Sequence, residues 1–537
     1  MRRDPTRWRG AAVAGILIAA GAGAVSIDGC AGGAVTAGSR VDAFTTHLDT
    51  QVPTLMERYD IPGVAVAVVS EGEAAAQNAY GLADVAEGSP MTVDTIGRAE
   101  SISKSVTAWG VMHLVEQGTL DLDDPFVQHV EGWEFAASRQ LEAAGSAAGA
   151  SAADGSATDS QPATAARSRA GSAAAPSTRA REVTVARLLN NSAGLPLGPI
   201  GPVAEYEPGS ELPDKREYLA ELARIVRKPG GGFIYSNVGF NHLEVLIEEQ
   251  TGRDFAAYMN DAVLDPLGMT ASSYAWQESF AESFANGYEN DGTPVPPYVY
   301  PANGSGGLMA TVGDLARFVA ASVAGPYREA QEVLSVENIR TMHRGRISIP
   351  GMYGFVADAY GFGHFIEELP DGRTAVWHGG QGHGWMTHFH AVPESGDGIV
   401  IVTNSQRSWP FLAYVLSDWA EWIGIGSVKF GRIAWLNTAL QVITALVALI
   451  ALVQAYRLVR GLRRGSRRVT PLSPQGRVGR IAQGAGGILL IAVLVWRASL
   501  PYVFETAIFP TVYGWTALAL LVLAVVLLVS ALMPKST

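Results

Sequence analysis

One cysteine, Cys30, is all that 537 residues contain, which excludes an internal disulfide framework and any thiolate metal cluster. Lysine is nearly as scarce: five (Lys104, Lys215, Lys228, Lys429, Lys535) stand against 34 arginines. Where charge alone is needed this chain uses arginine, so each lysine asks for a reason. Positive charge is missing from the middle of the chain. From residue 31 to Val428 there are 23 basic and 48 acidic side chains, a net −25, which argues against nucleic acid or anionic lipid as the partner of this region. Residues 136–180 contain one leucine and no valine, isoleucine, methionine or aromatic residue. Such a segment cannot bury enough surface to offset its ordering entropy, and it reads as a disordered Ala/Ser/Gly-rich insertion.

Long apolar runs are present at both ends. Residues 1–30 join an arginine-rich start to the small and apolar run Ala11 to Ile27, the pattern of a secretory signal or a short N-terminal anchor. Asp28 makes the sequence before Cys30 a poor lipidation box. Residues 433–456 and 512–533 carry no charge, and 481–504 carries only Arg497 with three glycines. Each is long enough to cross a hydrocarbon core of about 30 Å. A re-entrant or surface segment is the alternative for the middle run. The linker 457–480 has eight arginines and no acid, so it is expected to face the cytoplasm. The folded region before it then lies outside, on a cell membrane that the C-terminus crosses more than once.

Within that folded region, Ile61 to Ser70 reads as a buried strand, Glu71-Gly72 as a turn and Glu73 to Gly81 as the return strand. Ser101 to Gln117 reads as a helix closed by Gly118, and Asn237 to Gly252 as another. Phe255 to Leu267 continues helically to Gly268. Three short strands follow late: Thr374 to Trp377, Trp385 to Val392 and Ile399 to Thr403. Strands at both ends with helices between predict an α+β fold, one antiparallel sheet covered by helices, over residues 41–425.

Chemistry concentrates at three places. Ser101-Ile102-Ser103-Lys104 puts a hydroxyl and an amine three apart on a helix, within reach of each other. A desolvated lysine can take a proton from serine, which arginine cannot. On its own the spacing is weak, because such pairs are mostly surface residues. Tyr235-Ser236-Asn237 follows a glycine-rich run just before a helix; a phenol can relay a proton and an amide can hold a carbonyl, or the two can simply pack and cap. His378-Gly379-Gly380 lies on a strand whose glycines let a substrate approach the backbone amides.

In order and rough spacing these three motifs resemble those of the serine β-lactamase and penicillin-binding protein family, in its branch of class C β-lactamases, D-alanyl-D-alanine carboxypeptidases, D-aminopeptidases and esterases. Stretches such as PGVAVAVVSEG, LLNNSAGLP, GSGGLMATVGDLARF and HAVPESGDGIVIVTN strengthen the likeness. The resemblance implies a β-lactamase/transpeptidase-like sheet with a helical subdomain, and an acyl-enzyme mechanism without cofactor or metal. Ser101 would attack, Lys104 would act as base, and Tyr235 would pass the proton to the leaving group. Asn237 would orient Lys104 and a substrate amide, and the amides of Ser101 and Gln381 would form the oxyanion hole beside His378, Gly379 and Gly380. The implied substrate is a small molecule or a peptidoglycan-like peptide. Penicillin-recognising relatives often carry lysine where this chain has His378, which puts affinity for carboxylate-bearing substrates in doubt. Arg407 is the candidate replacement contact for that anion.

His378, His383, His388 and His390 place four of the ten histidines within one short stretch, a density that raises the question of a metal site. There is no HExxH pattern, no cysteine to complete a site and no acid in the stretch before Glu394. His388 and His390 instead read as polar residues on a partly exposed strand. A sensor or peptidoglycan-binding module with little turnover is the other function class. Against it, the cytoplasmic segments are too short to hold an effector domain.

Overall fold

The computed structural model describes residues 37–137, 178–323, 333–469, 477–499, 506 and 508–533. Cys30, the expected N-terminal signal or anchor and most of the Ala-rich insertion lie outside them.

Strand β1 (Gly63–Ser70) alternates, and the pleat sends its side chains to two cores: Val64, Val66 and Val68 to one, Ala65, Ala67 and Val69 to the other. A strand buried on both faces needs partners and cover on each side. It lies inside a nine-stranded antiparallel sheet with β2 (Glu73–Asp84), β3 (Ser89–Pro90), β4 (Ile347–Ser348), β5 (Ala359–Tyr360), β6 (Phe365–Glu368), β7 (Thr374–Gly382), β8 (Trp385–Val392) and β9 (Asp397–Thr403). The spatial order is β4-β5-β6-β7-β8-β9-β1-β2-β3. Val64 pairs with Thr403 and Val69 with Gly398, so the two ends of the domain meet in one sheet, as the sequence pattern implies.

The longer helices of the domain are α1 (Ala37–Tyr59), α2 (Ser103–Glu116), α3 (Asn237–Thr251), α4 (Val312–Ser322) and α5 (Trp409–Trp422). Helices α1 and α5 cover one face through Phe44, Leu48, Val52, Phe411, Val415 and Trp419. Helices α2, α3 and α4 build the other core around Trp109, Phe240, Leu246 and Phe318. Ser236 caps α3 by accepting from the Gly239 amide, and Gly252 ends it in the left-handed conformation at φ 64°, as Gly at that position predicts.

Two boundaries are corrected. Ala136–Ala137 pairs in parallel with Arg224–Ile225, and Thr178–Arg181 is helical with Ala180 buried, so the insertion drawn at 136–180 is slightly too wide at both ends. The arginine-rich linker is also partly helical. Three C-terminal helices are long and apolar enough to cross a membrane: α6 (Arg432–Arg463), α7 (Arg477–Ala498) and α8 (Tyr513–Leu532). Helix α6 runs beyond the charge-free stretch through Arg457 and Arg460, whose long side chains can reach a headgroup layer. Gly487 of α7 allows close approach, since a Cβ there would lie 2.7 Å from Leu528 Cγ of α8.

Candidate active site

Ser101 sits on a single 3-10 turn, Glu100–Ile102, that runs directly into α2. Its neighbour Glu100 has φ 50°, a left-handed conformation that costs a non-glycine residue roughly 1–3 kcal/mol. The buried Glu100 carboxylate holds it there. Oε1 accepts from Arg98 Nε at 2.6 Å and from the Tyr298 hydroxyl at 2.8 Å, and Oε2 accepts from Tyr300 at 3.1 Å. Arg98 in turn donates to the carbonyls of Tyr298 and Gly306 and lies over both tyrosine rings. The nucleophile turn is therefore stapled to the loop Tyr298–Gly306, of which only Gly304 to Gly306 belong to a stretch carrying the family likeness.

The other side of the turn rests on β7. A Cβ at Gly380 would lie 2.1 Å from Thr387 Oγ1 and 2.4 Å from the Ala99 carbonyl, and one at Gly382 would lie 2.2 Å from the Glu100 carboxyl carbon. Glycine at these two positions lets the Ser101 turn dock against the strand backbone.

Lys104 is fully buried beneath the serine. Its Nζ donates to Ser101 Oγ at 3.0 Å and to the Ser305 carbonyl at 2.7 Å, and lies 4.9 Å from the centre of the Tyr235 ring. Burial strips water from the ammonium and pulls its pKa down to about 7, against the opposing pull of the Glu100 carboxylate. Tyr235 is raised by burial, with a hydrogen bond to Ser101 working the other way. Two groups able to exchange a proton with the serine, Lys104 and Tyr235, thus converge on its oxygen.

Asn237 begins α3 and lines the same cleft as Ser101, Ser305 and Gln381. Its Oδ1 is buried without a hydrogen-bond partner among the described residues, an acceptor left unsatisfied on a residue that lines the cleft. The lysine is fixed by the Ser305 carbonyl, and Asn241 Oδ1 fixes Ser305 by accepting from its amide. Sequence spacing had no means to point to Ser305, which lies far along the chain.

His378 lies 0% exposed on β7. Nδ1 faces the Gly379 carbonyl at 2.9 Å, which can only accept, so that nitrogen carries the proton and Nε2 accepts from the Tyr360 hydroxyl at 3.1 Å. Burial and the nearby Lys104 hold its pKa well below the usual imidazole value. His383, in the turn after β7, is the opposite case. Glu205 and Glu289 flank it at 2.7 and 2.9 Å, and their hydrogen bonds raise its pKa to about 9.

Two expectations fail. Arg407 does not reach the cleft: it is paired with Asp60 and donates Nε to the Asn290 carbonyl at 2.6 Å. His388 and His390 are fully buried rather than partly exposed, because Phe430 and Trp419 cover that face of β8. Among the described residues, no group of three His, Cys, Asp or Glu side chains is arranged to hold a metal ion.

Comparison with known proteins covers most of this domain. The family model described as Beta-lactamase matches residues 48–415. A D-aminopeptidase of Brucella anthropi is 25% identical over 428 residues, 76% of this chain and 68% of the relative. Protein flp of Staphylococcus aureus (strain MRSA252) is 22% identical over 368 residues; the match takes in 67% of this chain and 62% of that protein's length. Among solved structures, the octameric penicillin-binding protein homologue from Pyrococcus abyssi superposes with a TM-score of 0.53 at 24% identity, over 72% of this chain and 78% of the other. The D-alanine carboxypeptidase AmpC from Burkholderia cenocepacia gives 0.50 at 22%, over 68% and 95%.

Proposed function

Because this chain belongs to the β-lactamase family of serine hydrolases, we propose that it cleaves ester, amide, D-amino acid peptide or β-lactam carbonyls through an acyl-enzyme at Ser101. The observation that carries this reading is the buried Lys104 amine 3.0 Å from Ser101 Oγ, with a pKa near 7. At neutral pH a large share of it is unprotonated and can act as base.

The contacts of Ser101, Lys104 and Tyr235 support the following steps. Lys104 takes the hydroxyl proton as Ser101 Oγ bonds to the substrate carbonyl carbon. The amides of Ser101 and Gln381 stabilise the resulting oxyanion. The bond to the leaving oxygen or nitrogen then breaks, and that atom receives the proton from Lys104 by way of Tyr235. Water attacks the acyl-serine by the reverse relay, releasing the acid and restoring the hydroxyl. Asn237 Oδ1 supplies an acceptor for a substrate N–H. His378, neutral and turned to Tyr360, offers no charge to a substrate carboxylate, which favours uncharged esters and amides over β-lactams and free C-termini. No resident cofactor or metal enters the scheme.

Helices α6 to α8 supply the reading of location. They anchor the enzyme in a membrane, with the arginines between α6 and α7 on the cytoplasmic side and the hydrolase domain outside. Purified full-length protein should be labelled at Ser101 by a fluorophosphonate and should release p-nitrophenol from p-nitrophenyl acetate over many turnovers, with Ser101→Ala losing both. Labelling without turnover would point instead to a sensor. Hydrolysis that survives in Ser101→Ala would remove the assignment.

A further inference from the structure

Apolar side chains edge the cleft that the catalytic scheme does not use. On one side the chain turns at Gly198 and Gly201, presenting Ile200, which lines the cleft, and Val203, 79% exposed. Outside the cleft lining, a second group is exposed: Met352 at 65%, Tyr353 at 38% and Phe355 at 36%. Tyr353 also stacks on Tyr235, with ring centres 5.7 Å apart, which ties this second edge to the catalytic tyrosine. Large apolar side chains left exposed near a site mark a contact with something apolar.

The second edge is fastened to a helix suited to crossing a bilayer. Arg432, at the start of α6, donates Nη1 to the Phe355 carbonyl at 3.0 Å and lies 5.5 Å from the centre of that ring. One turn along, Trp435 is 71% exposed; tryptophan at the end of a spanning helix settles at headgroup depth. The same helix therefore sets the level of both the lipid surface and the segment that stacks on Tyr235. Charge cannot supply the contact, since the domain's net −25 repels anionic headgroups. Apolar side chains on a covalent tether can.

We propose that the cleft works at the bilayer surface on amphiphilic esters or amides, whose hydrocarbon chain stays in lipid or along this rim while the carbonyl reaches Ser101. This rests on the hydrolase reading above. A chain rising from the bilayer past Met352 runs along Tyr353 and Tyr235 before it meets the nucleophile, so the rim selects for the hydrocarbon and the cleft for the carbonyl.

The test uses full-length protein reconstituted in phosphatidylcholine vesicles. Two substrates are compared: p-nitrophenyl acetate in water and p-nitrophenyl palmitate in the bilayer. Met352→Asp combined with Val203→Asp should lower palmitate hydrolysis about tenfold, the scale expected when one large apolar side chain can no longer enter an apolar phase. Acetate hydrolysis should stay within about twofold, since neither residue touches the reacting atoms. An unchanged palmitate rate, or equal losses on both esters, overturns the proposal. Failure of the wild type on both esters would instead sink the hydrolase reading, and the rim is then decided by a second measurement. Bimane attached to Met352→Cys in a Cys30→Ala chain should be quenched by nitroxide-bearing lipid; no quenching overturns membrane contact.

Discussion

His378 and His383 sit at the two ends of the segment that leads from β7 into its turn, and are held in opposite charge states. At the inner position, burial and a nearby lysine keep the imidazole neutral. At the turn, two carboxylates within hydrogen-bond distance keep it protonated to about pH 9. The same side chain is a hydrogen-bonding wall in one place and a cation in the other, and position along the sequence decides neither. The environment decides both, and it treats Lys104 as it treats His378, removing water until the charge is hard to hold.

The largest effect expected is at the inner end. Lys104→Met keeps the volume and the burial but removes the base, and should lower kcat/KM for a soluble ester by about 10³-fold. A loss of less than tenfold would show that another group takes the proton.

His378→Lys would make the two ends alike in charge. A second ammonium near Lys104 should lower the lysine's pKa further and move the acid limb of the kcat/KM profile down by about one pH unit. It should also raise cephalosporin hydrolysis relative to p-nitrophenyl acetate, because the cleft gains a cation for the substrate carboxylate. An unmoved limb would mean that the new ammonium is paired away from Lys104.

The smallest effect is at the turn. The folded pKa of His383, about 9, lies above its unfolded value of about 6.5. The stabilisation it contributes is therefore complete below about pH 6.5 and is lost as pH rises through about 9; with solvent screening it amounts to about 1 kcal/mol. Glu205→Gln with Glu289→Gln should lower the thermal midpoint of the full chain by about 2 °C at pH 6 and by nothing at pH 10. The same gap at both pH values would show that the pair acts by packing rather than by charge.

Local features were legible from sequence. Ser101 and Lys104 meet because three residues of helical chain bring them together. The buried strand β1 and the Gly252 end of α3 followed for the same reason, whereas the N-cap of α3 is Ser236 and not Asn237. The glycines of β7 pointed to close approach, but what approaches Gly380 is the chain's own Ala99–Glu100 turn rather than a substrate. Contacts made by distant segments were hidden. The Ser305 carbonyl that fixes Lys104, the Tyr360 hydroxyl on His378 and the Arg98–Glu100–Tyr298 staple all depend on loops that only the fold assembles. The burial of His388 depends on Phe430, which belongs to the approach to α6, and that of His390 on Trp419 of α5. Helix α1 escaped notice because polar residues run along most of it and Pro53 lies inside it, a residue that normally argues against a helix interior.

The central claim is that burial makes Lys104 a working base at neutral pH. The pH dependence of fluorophosphonate labelling at Ser101 tests it most directly in the full-length protein, because the reagent reads the nucleophile without a leaving-group step of the natural kind. The account predicts a labelling rate that rises with pH to a plateau, with a midpoint at about 7 that disappears in Lys104→Met. A rate that climbs only towards the ordinary lysine value of about 10.4, or one with the same midpoint in Lys104→Met, would contradict it.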